Sequence, residues 1–159
     1  MTTGVDAQNN YVTYMNTDSA RIQGIELEGR WRARPWLTLT ASGTHYLKRK
    51  ESAAGVESDI RNIPKTAIRL GVDVNHGPWS GRLGVRHVGD WKDNDWYGNS
   101  SNIITYKGFT TADVFVRYEF DRHQSVSLRI DNLFDRYYAE KGGFPLAGRN
   151  FRINYQYRF

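Results

Sequence analysis

The sequence predicts an all-β protein, built as an antiparallel up-and-down meander of about eight long strands. Apolar and polar residues alternate with a period of two along the whole chain, and no convincing helical stretch is present. Aromatic residues, which favour strands, make up 14% of the chain. Short turns and long polar loops separate the alternating stretches, and a length of 159 residues is compatible with one domain.

The strands follow from the alternation within each stretch. In "RIQGIELEGRWR" the apolar residues Ile25, Leu27 and Trp31 alternate with charged ones. The stretch "YVTYMNT" at 11–17 is a weaker candidate. The other predicted strands are 21–32, 36–48, 65–75, 79–89, 109–120, 124–132 and 151–159. Several of them have ten residues or more, whereas strands of globular proteins most often have about 5–6.

The connections between the strands differ in length in a regular way. Short turns are predicted at Arg34–Pro35, 75–78 and 121–123, and long polar loops at about 50–63, 92–107 and 134–148. Tight turns at one edge and long loops at the other are typical of outer-membrane β-barrels. No window approaches the roughly 18 apolar residues of a membrane-spanning helix, whereas a tilted transmembrane strand needs about 9–11.

Whether the apolar face contacts lipid or the protein's own interior decides between a membrane barrel and a soluble sandwich. Alternation alone also suits a soluble sandwich, whose apolar side faces inward. Lipid is favoured because the strands are long, because their polar positions carry charged side chains of both signs, and because aromatic residues cluster near the short-turn ends. The aromatic residues at positions suited to an interfacial girdle are Trp31, Trp36, Trp79, Tyr118, Phe120, Tyr155, Tyr157 and Phe159.

Composition argues against several other classes. The net charge is +5, but the basic residues are spread at strand spacing and accompany no recognition helix or aromatic RNA-binding motif, so nucleic-acid binding is not predicted. The chain has no cysteine, which excludes a disulfide framework and thiolate metal sites. No nucleophile and base are brought together, and we do not predict an enzyme. The start, "MTTGVDAQNN", lacks the features of a signal peptide.

Four stretches, taken in their order, resemble the end of a TonB-dependent outer-membrane receptor. They are "ARIQGIELEGRW" (20–31), "NIPKTAIRLGVDV" (62–74), "GRLGVRHVGD" (81–90) and "DNLFDRYYAEKGGFPLAGRNFRINYQYRF" (131–159). No single stretch would identify the family. Their order is specific: a Gly-Ile-Glu strand, a Pro-led strand, an Asn-Leu-Phe-Asp hairpin and a terminal aromatic strand.

The resemblance implies a 22-stranded barrel closed by an N-terminal plug, in the outer membrane of a Gram-negative bacterium, importing iron chelates (siderophores) or cobalamin. No plug and no segment that engages TonB is recognised in the chain. Residues 1–159 are therefore expected to be the C-terminal segment of such a barrel, unable to transport alone. Expected partners are outer-membrane lipid, the remaining barrel and plug, the barrel-assembly machinery and an iron chelate, and no cofactor is expected.

Charged residues at the polar strand positions form the first candidate site. They could line a lumen that docks the plug and passes an anionic chelate, or they could simply pair with opposite charges across neighbouring strands, each pair contributing about 0.2–1 kcal/mol. These residues are Glu26, Glu28, Arg30, Arg32, Arg69, Asp73, Arg82, Arg86, Asp113, Arg117, Arg129 and Asp131.

The loop "DWKDNDWYGNSSNIITY" (90–106) is the second candidate site. Trp91, Trp96 and Tyr97 could stack on a chelate while Lys92 attracts negative charge. Alternatively, the rings belong to an outer aromatic belt. The start of a Ca²⁺ loop is imitated here, but Ile104 stands where the bidentate Glu is required, so no metal site is predicted.

The terminal strand has a further expected role. In the family that the chain resembles, an alternating strand with a terminal aromatic looks like the address read by the assembly machinery, and Tyr155, Tyr157 and Phe159 match it.

Two alternatives remain open at this point. The chain could be a complete eight-stranded outer-membrane barrel with a structural or adhesion role, which requires its first and last strands to pair. It could also be a soluble β-sandwich binding module. That alternative requires a shared dry core formed by Leu27, Leu39, Leu70, Val85 and Leu128.

Overall fold

The computed structural model describes residues 2–5, 12–15 and 19–159, which form strands, turns and loops. The strands are β1 (Thr2–Val5), β2 (Val12–Met15), β3 (Ser19–Arg34), β4 (Leu37–Ala53), β5 (Val56–Asp59), β6 (Thr66–His76), β7 (Trp79–Val88), β8 (Trp91–Asn94), β9 (Ile103–Tyr106), β10 (Phe109–Glu119), β11 (Gln124–Asp131), β12 (Ala139–Lys141), β13 (Phe144–Pro145) and β14 (Asn150–Tyr157). Within these ranges no helix has the length and apolar character needed to cross a membrane.

One antiparallel sheet dominates the structure, in the order β14-β11-β10-β7-β6-β4-β3. Each long strand pairs with the long strands before and after it in the chain, and β5 adds to the end of β4. The predicted all-β meander is therefore confirmed. The main sheet does not include the first predicted strand. That strand, at 11–17, lies partly outside the described residues, and its described part, β2, pairs with β1 rather than with the main sheet.

The three predicted short turns lie where the sequence placed them. In the β6–β7 hairpin His76 pairs with Trp79, so only Gly77 and Pro78 form the turn. Gly77 has φ 57°, which suits the first position of a type II′ turn and which a residue with a Cβ adopts only under strain. In the β10–β11 turn the Asp121 carboxylate accepts the backbone N–H of His123 at 2.7 Å. The turn residues themselves therefore determine where the strands reverse direction at this edge of the sheet.

The long connections, predicted as loops, contain hairpins of their own. β4 continues to Ala53 and folds back as β5, β8 pairs with β9, and β12 pairs with β13. The first of these turns consists of Ala54 and Gly55, both with positive φ, as a two-residue turn of type I′ requires. At the β12–β13 turn Gly143 has φ 81°. The long connections therefore lie where the sequence predicts them, and each contains a short hairpin that the sequence analysis did not predict.

The strand register sorts the side chains of the main sheet into two faces. Successive residues of a strand point to opposite faces, so paired residues share a face. One row of paired residues crosses the sheet from edge to edge and is apolar throughout: Trp31, Leu39, Val72, Leu83, Val114, Ile130 and Phe151. The sheet therefore has one apolar face, which extends over all the long strands.

No layer of the described protein covers this apolar face. Leu27 is 76% exposed and Ile153 is 75% exposed. Of the five residues that a soluble sandwich would bury together, Leu27, Leu70 and Leu128 are exposed and Leu39 and Val85 are half-buried. The buried hydrophobic cluster in the described part of the chain is small, consisting of Val88, Trp91 and Phe109. The sandwich alternative is therefore wrong.

The main sheet is open in the described residues. Its edge strands are β3 and β14, and they pair with β4 and β11 but not with each other. The complete eight-stranded barrel required the first predicted strand, at 11–17, to pair with the last; the described part of that strand, β2, pairs with β1 instead, so the structure does not support this alternative.

Gly108, near the long-loop edge of the sheet, tests how closely the chain before β10 packs against the end of β7. A Cβ at Gly108 would collide with the backbone carbonyl of Val88, whereas a Cβ at Gly84 would meet no atom within 4 Å. Because a backbone obstacle cannot rotate away, we expect Gly108→Ala to lower the free energy of unfolding by about 1–3 kcal/mol. Urea unfolding followed by tryptophan fluorescence measures it, with Gly84→Ala as the control. Equal stability of the two variants would contradict the packing described.

Candidate functional site

The polar face of the sheet carries all the charged residues singled out from the sequence. The register places Arg69 opposite Arg86, Asp73 opposite Arg82, and Arg129 opposite Arg152. Glu26, Glu28, Arg30, Arg32, Asp113, Arg117 and Asp131 lie on the same face. The alternation of the sequence therefore gathers charges of both signs on one surface, directly behind the apolar face.

Ion pairs account for part of this charge. Arg82 Nε lies 2.5 Å from Asp73 Oδ1, and Arg129 Nε lies 2.6 Å from Asp131 Oδ1. Exposed pairs of this kind contribute only about 0–1 kcal/mol each. In the described ranges Glu26, Glu28, Arg30, Arg32 and Arg69 form no ion pair. Cross-strand pairing therefore does not explain the whole charged surface.

Above the long-loop edge, three hairpins pack together into what we call the loop platform, residues 50–59, 91–106 and 139–145. The first and second are joined by Lys92, whose Nζ lies 2.7 Å from Asp59 Oδ2. The connection after β5 also binds β8, because the N–H of Asn62 donates to the carbonyl of Lys92 at 2.8 Å. Arg61 Nη1 donates to Asn94 Oδ1 at 2.8 Å.

The third hairpin closes on the second through rings and charges. Lys141 Nζ lies 5.3 Å from the centre of the Trp96 ring, within cation–π range. Just before the third hairpin, Tyr138 packs on the first residue of β10, Phe109, with ring centres 4.6 Å apart. Gly142 packs against Tyr106 so closely that a Cβ would collide with the phenol. The platform is therefore a packed substructure with defined side-chain contacts.

The four ligand-contact candidates occupy different environments in the platform. Trp91 is only 4% exposed and stacks on Tyr106 with ring centres 5.6 Å apart, so little of its ring is free for a ligand. Lys92 is held in its ion pair with Asp59. Trp96 is 44% exposed and Tyr97 is 60% exposed. Trp96 and Tyr97 thus present ring surface to solvent.

Sequence reasoning missed the residues that the third hairpin and the connection before it add beside Trp96 and Tyr97. Tyr137 and Phe144 are exposed, and Lys141 lies between the Trp96 and Phe144 rings, 5.7 Å from the second. A hydrogen bond with Tyr97 raises the pKa of Tyr137. The Gly-Gly pair at 142–143 is a hairpin signal that could have identified this element. Nothing in the sequence places it against Trp96.

The acidic residues that imitate a Ca²⁺ loop are engaged in the β8–β9 hairpin. Asp93 Oδ2 accepts the indole N–H of Trp96 at 3.0 Å, and Asp95 Oδ1 accepts the N–H of Gly98 at 2.9 Å. No group of three or more metal-binding side chains occurs in the part of the chain that the structure describes. These carboxylates thus shape the turn that presents Trp96 and Tyr97.

Electrostatics within the platform centre on Asp59. Hydrogen bonds from Lys92 and Lys50 lower the pKa of Asp59 to about 2, against an ordinary value of 3.8. At the base of the second hairpin the N–H of Gly108 donates to Asp90 at 2.7 Å, and this bond, together with Lys107, lowers the pKa of Asp90. Both carboxylates are therefore ionised at neutral pH and bind the hairpins as anions.

At the opposite, tight-turn edge, exposed aromatic rings gather on the apolar face. Trp79 and Tyr118 have ring centres 4.6 Å apart, and Tyr118 and Phe120 have ring centres 5.1 Å apart. On the terminal strand Tyr155 and Tyr157 are exposed. Five of the eight aromatic residues predicted for an interfacial girdle therefore lie at this end of the apolar face.

Known proteins share the sequence pattern of this sheet. Residues 1–133 match the family described as TonB dependent receptor-like, beta-barrel. The vitamin B12 transporter BtuB of Vibrio cholerae serotype O1 is 33% identical over 81 residues, which cover 51% of this chain and 13% of the transporter. The match thus spans only a small part of that relative's length.

Solved structures resemble the fold over nearly the whole chain. The siderophore receptor PirA of Acinetobacter baumannii has a TM-score of 0.71 and 20% identity, covering 99% of this chain and 26% of that receptor. The ferric-catecholate import receptor Fiu of E. coli K12 has a TM-score of 0.72 and 20% identity, covering 99% and 23%. At such identities the likeness establishes the fold, and the chain spans about a quarter of each receptor.

The lowered pKa of Asp59 predicts how the stability of the loop platform depends on pH. Because its pKa is depressed when folded, its contribution to stability is present above pH 3.8 and is lost as the pH falls toward about 2. We expect the difference in unfolding free energy between the wild type and Asp59→Asn to shrink over this interval. We expect Lys92→Met to raise the Asp59 pKa, measured from the carboxyl ¹³C chemical shift.

Lys107→Met is the matched control, since Lys107 pairs with Asp90 and not with Asp59. An Asp59 midpoint that Lys92→Met leaves unchanged would contradict the contact between the two hairpins.

Proposed function

The chain belongs to the family of TonB-dependent receptor-like β-barrels, and we propose that its sheet is the C-terminal part of the barrel of an outer-membrane nutrient receptor. The proposed cargo is an iron chelate or a similarly scarce nutrient such as cobalamin. The order of the four sequence stretches supports the placement within the barrel. The functions of the relatives, vitamin B12 transport and siderophore reception, support the class of cargo.

The single observation that carries the proposal is the uncovered apolar face. It extends across every long strand, whereas soluble monomers rarely expose contiguous apolar patches larger than a few hundred Å². An outward apolar band over a polar interior is the arrangement of membrane barrels. Lipid is the solvent that this face fits, and the charged face then lines the lumen.

The two ends of the sheet suggest its orientation in the outer membrane. Outer-membrane barrels have short periplasmic turns and longer extracellular loops. By this rule the turn at Gly77 and Pro78 faces the periplasm and the loop platform faces the outside. The ring cluster around Trp79 and Tyr118 would then lie at the periplasmic interface, where aromatic residues are enriched.

The unpaired edges of β3 and β14 require partners in this setting. Lipid cannot satisfy exposed backbone N–H and C=O groups, each of which costs several kcal/mol when left unpaired. We therefore propose that the remaining barrel strands pair with both edges and that the plug occupies the lumen, with TonB acting through it. On the terminal strand Tyr155, Tyr157 and Phe159 are proposed as the signal for the barrel-assembly machinery.

The loop platform is the proposed region of first contact with cargo. Trp96 and Tyr97 offer exposed rings, and Lys141 adds a positive charge beside Trp96. An anionic chelate with flat aromatic or conjugated groups could stack on these rings and pair with the ammonium. Lys92, neutralised by Asp59, contributes to the shape of the site rather than to its charge.

The function is tested by uptake of labelled nutrients. The receptor containing this chain is expressed in a Gram-negative host that lacks its own receptors. ⁵⁵Fe bound to catecholate or hydroxamate chelates, and ⁵⁷Co-cobalamin, are then supplied. We expect energy-dependent uptake of at least one, and about a thirtyfold loss of its affinity in the double variant Trp96→Ala, Tyr97→Ala, because each of the two stacked rings contributes about 1 kcal/mol. Leu47→Ala, another exposed apolar side chain, is the control.

The two parts of the proposal fail separately. Surface-expressed receptor that imports none of these nutrients would contradict the receptor function. Uptake with unchanged affinity in the double variant would contradict only the assignment of cargo contact to the platform.

A further inference from the structure

The third hairpin of the loop platform is attached to the main sheet through side chains. Its strands β12 and β13 pair with each other and with no other strand in the described ranges. At its base the buried amide of Asn132 joins the segments that lead into and out of the hairpin, donating to the carbonyl of Arg136 at 2.8 Å and to that of Ala147 at 3.3 Å. The base is therefore fixed, and the orientation of the rest of the hairpin depends on side-chain contacts.

A β-bulge in this hairpin directs one of these contacts. The register shifts between Ala139 and Lys141, so Glu140 is the extra residue of its strand. Bulges re-aim side chains and occur often beside functional sites. Here the bulged carboxylate accepts a hydrogen bond from Arg86 Nη1 of β7, while the next residue, Lys141, lies 5.3 Å from the centre of the Trp96 ring. Two successive residues thus connect the polar face of the sheet to the second hairpin.

Arg86 is a well-held anchor for this carboxylate. Its guanidinium lies 5.5 Å from the centre of the Phe109 ring. Arg69 is directly opposite in the strand register, and like charges in that position destabilise a sheet. Glu140 is the one carboxylate within ion-pair distance of Arg86 in the described part of the chain. The contact therefore fastens the hairpin and offsets the repulsion between two neighbouring strands.

We propose that Glu140 is a positioning residue of the surface assigned above to cargo contact. Its ion pair with Arg86 holds the third hairpin against the sheet and thereby keeps Lys141 beside Trp96. Glu140 acts through Lys141 and touches no cargo itself. The inference rests on the proposed function only in what the surface binds, because the position of the hairpin is a property of this chain alone.

Ring contacts are the alternative way to hold the hairpin in place. Tyr138 packs on Phe109 just before the hairpin, and Gly142 packs against Tyr106 within it. The two explanations differ in their response to salt. Dissolved ions screen an exposed ion pair, whereas they do not weaken apolar packing. Salt reaches the pair, since the side chains of its two partners are 34% and 50% exposed.

A cavity of 220 Å³ beneath the hairpin supplies a reporter of the hairpin's position. Its wall includes Ala67 of β6 together with Arg86 and Glu140. The chain has no cysteine, so Ala67→Cys adds a single thiol to it. The receptor containing this chain is treated in detergent micelles with N-ethylmaleimide, an uncharged reagent, and the peptide that contains residue 67 is followed by mass spectrometry. A hairpin that moves away should expose the thiol and raise its labelling rate.

We expect Glu140→Gln to raise the labelling rate about two- to fivefold, the range that follows from loss of one partly exposed ion pair. In a receptor that already carries Arg86→Gln, the same substitution should have no further effect. Added sodium chloride should speed labelling of the Ala67→Cys receptor but not of the receptor that also carries Glu140→Gln. A role in apolar packing would produce neither the salt response nor the dependence on Arg86.

Glu119→Gln is the matched control. Glu119 pairs with Arg117 on the same face, at the tight-turn edge of the sheet, so its loss removes an equal charge far from the hairpin. We expect it to leave the labelling rate unchanged. After unfolding in urea all variants should label at one rate, which shows that the thiol itself is equally reactive in each.

Uptake by the same variants tests the link to cargo. For a nutrient that the receptor imports, Glu140→Gln should weaken the affinity about two- to fivefold and leave the maximal rate of uptake unchanged. Unchanged affinity would overturn the role in cargo contact. A labelling rate that Glu140→Gln does not raise, or raises equally without Arg86, would overturn the positioning of the hairpin. Labelling requires no cargo, so it decides the second point even if none of the nutrients is imported.

Discussion

The register of the hydrogen-bonded ladder between the long strands is the constraint on which the rest of this structure depends. Side chains repeat with a period of two, so a slip by one residue would exchange the two faces of a strand. The register instead keeps rows such as Val72, Leu83 and Val114 aligned. One ladder therefore produces both an apolar surface and, directly behind it, the charged surface with Arg69, Arg86 and their neighbours.

This arrangement reverses the usual relation between a sheet and its core. A globular protein covers its apolar face with a second layer, whereas the buried cluster here is confined to a few residues around Trp91 and Phe109 under the loop platform. Most of the apolar area of the sheet is not covered by the described protein. Under the proposed function, lipid and neighbouring barrel strands would stabilise the sheet, and the small core would fix the hairpins that present Trp96 and Tyr97.

The features predictable from the sequence were those with local causes. The tight turn at Gly77 and Pro78 follows from the conformations of those two residues, and the long strands follow from alternation. The hairpins of the loop platform were missed because β5, β8, β9, β12 and β13 have only two to four residues each, too few for an alternating pattern to be visible. The burial of Trp91 depends on contacts from Tyr106 and Phe109, which only the folded chain brings together.

The central claim, that lipid covers one face and water the other, is tested most directly by chemical labelling. The chain has no cysteine, so single cysteines can be placed at the neighbouring positions Ile153 and Asn154, both exposed in β14. With the protein in a bilayer, a charged thiol reagent should label Asn154→Cys rapidly and Ile153→Cys slowly, and unfolding in urea should abolish the difference. Equal labelling of the two positions in the bilayer would contradict the account.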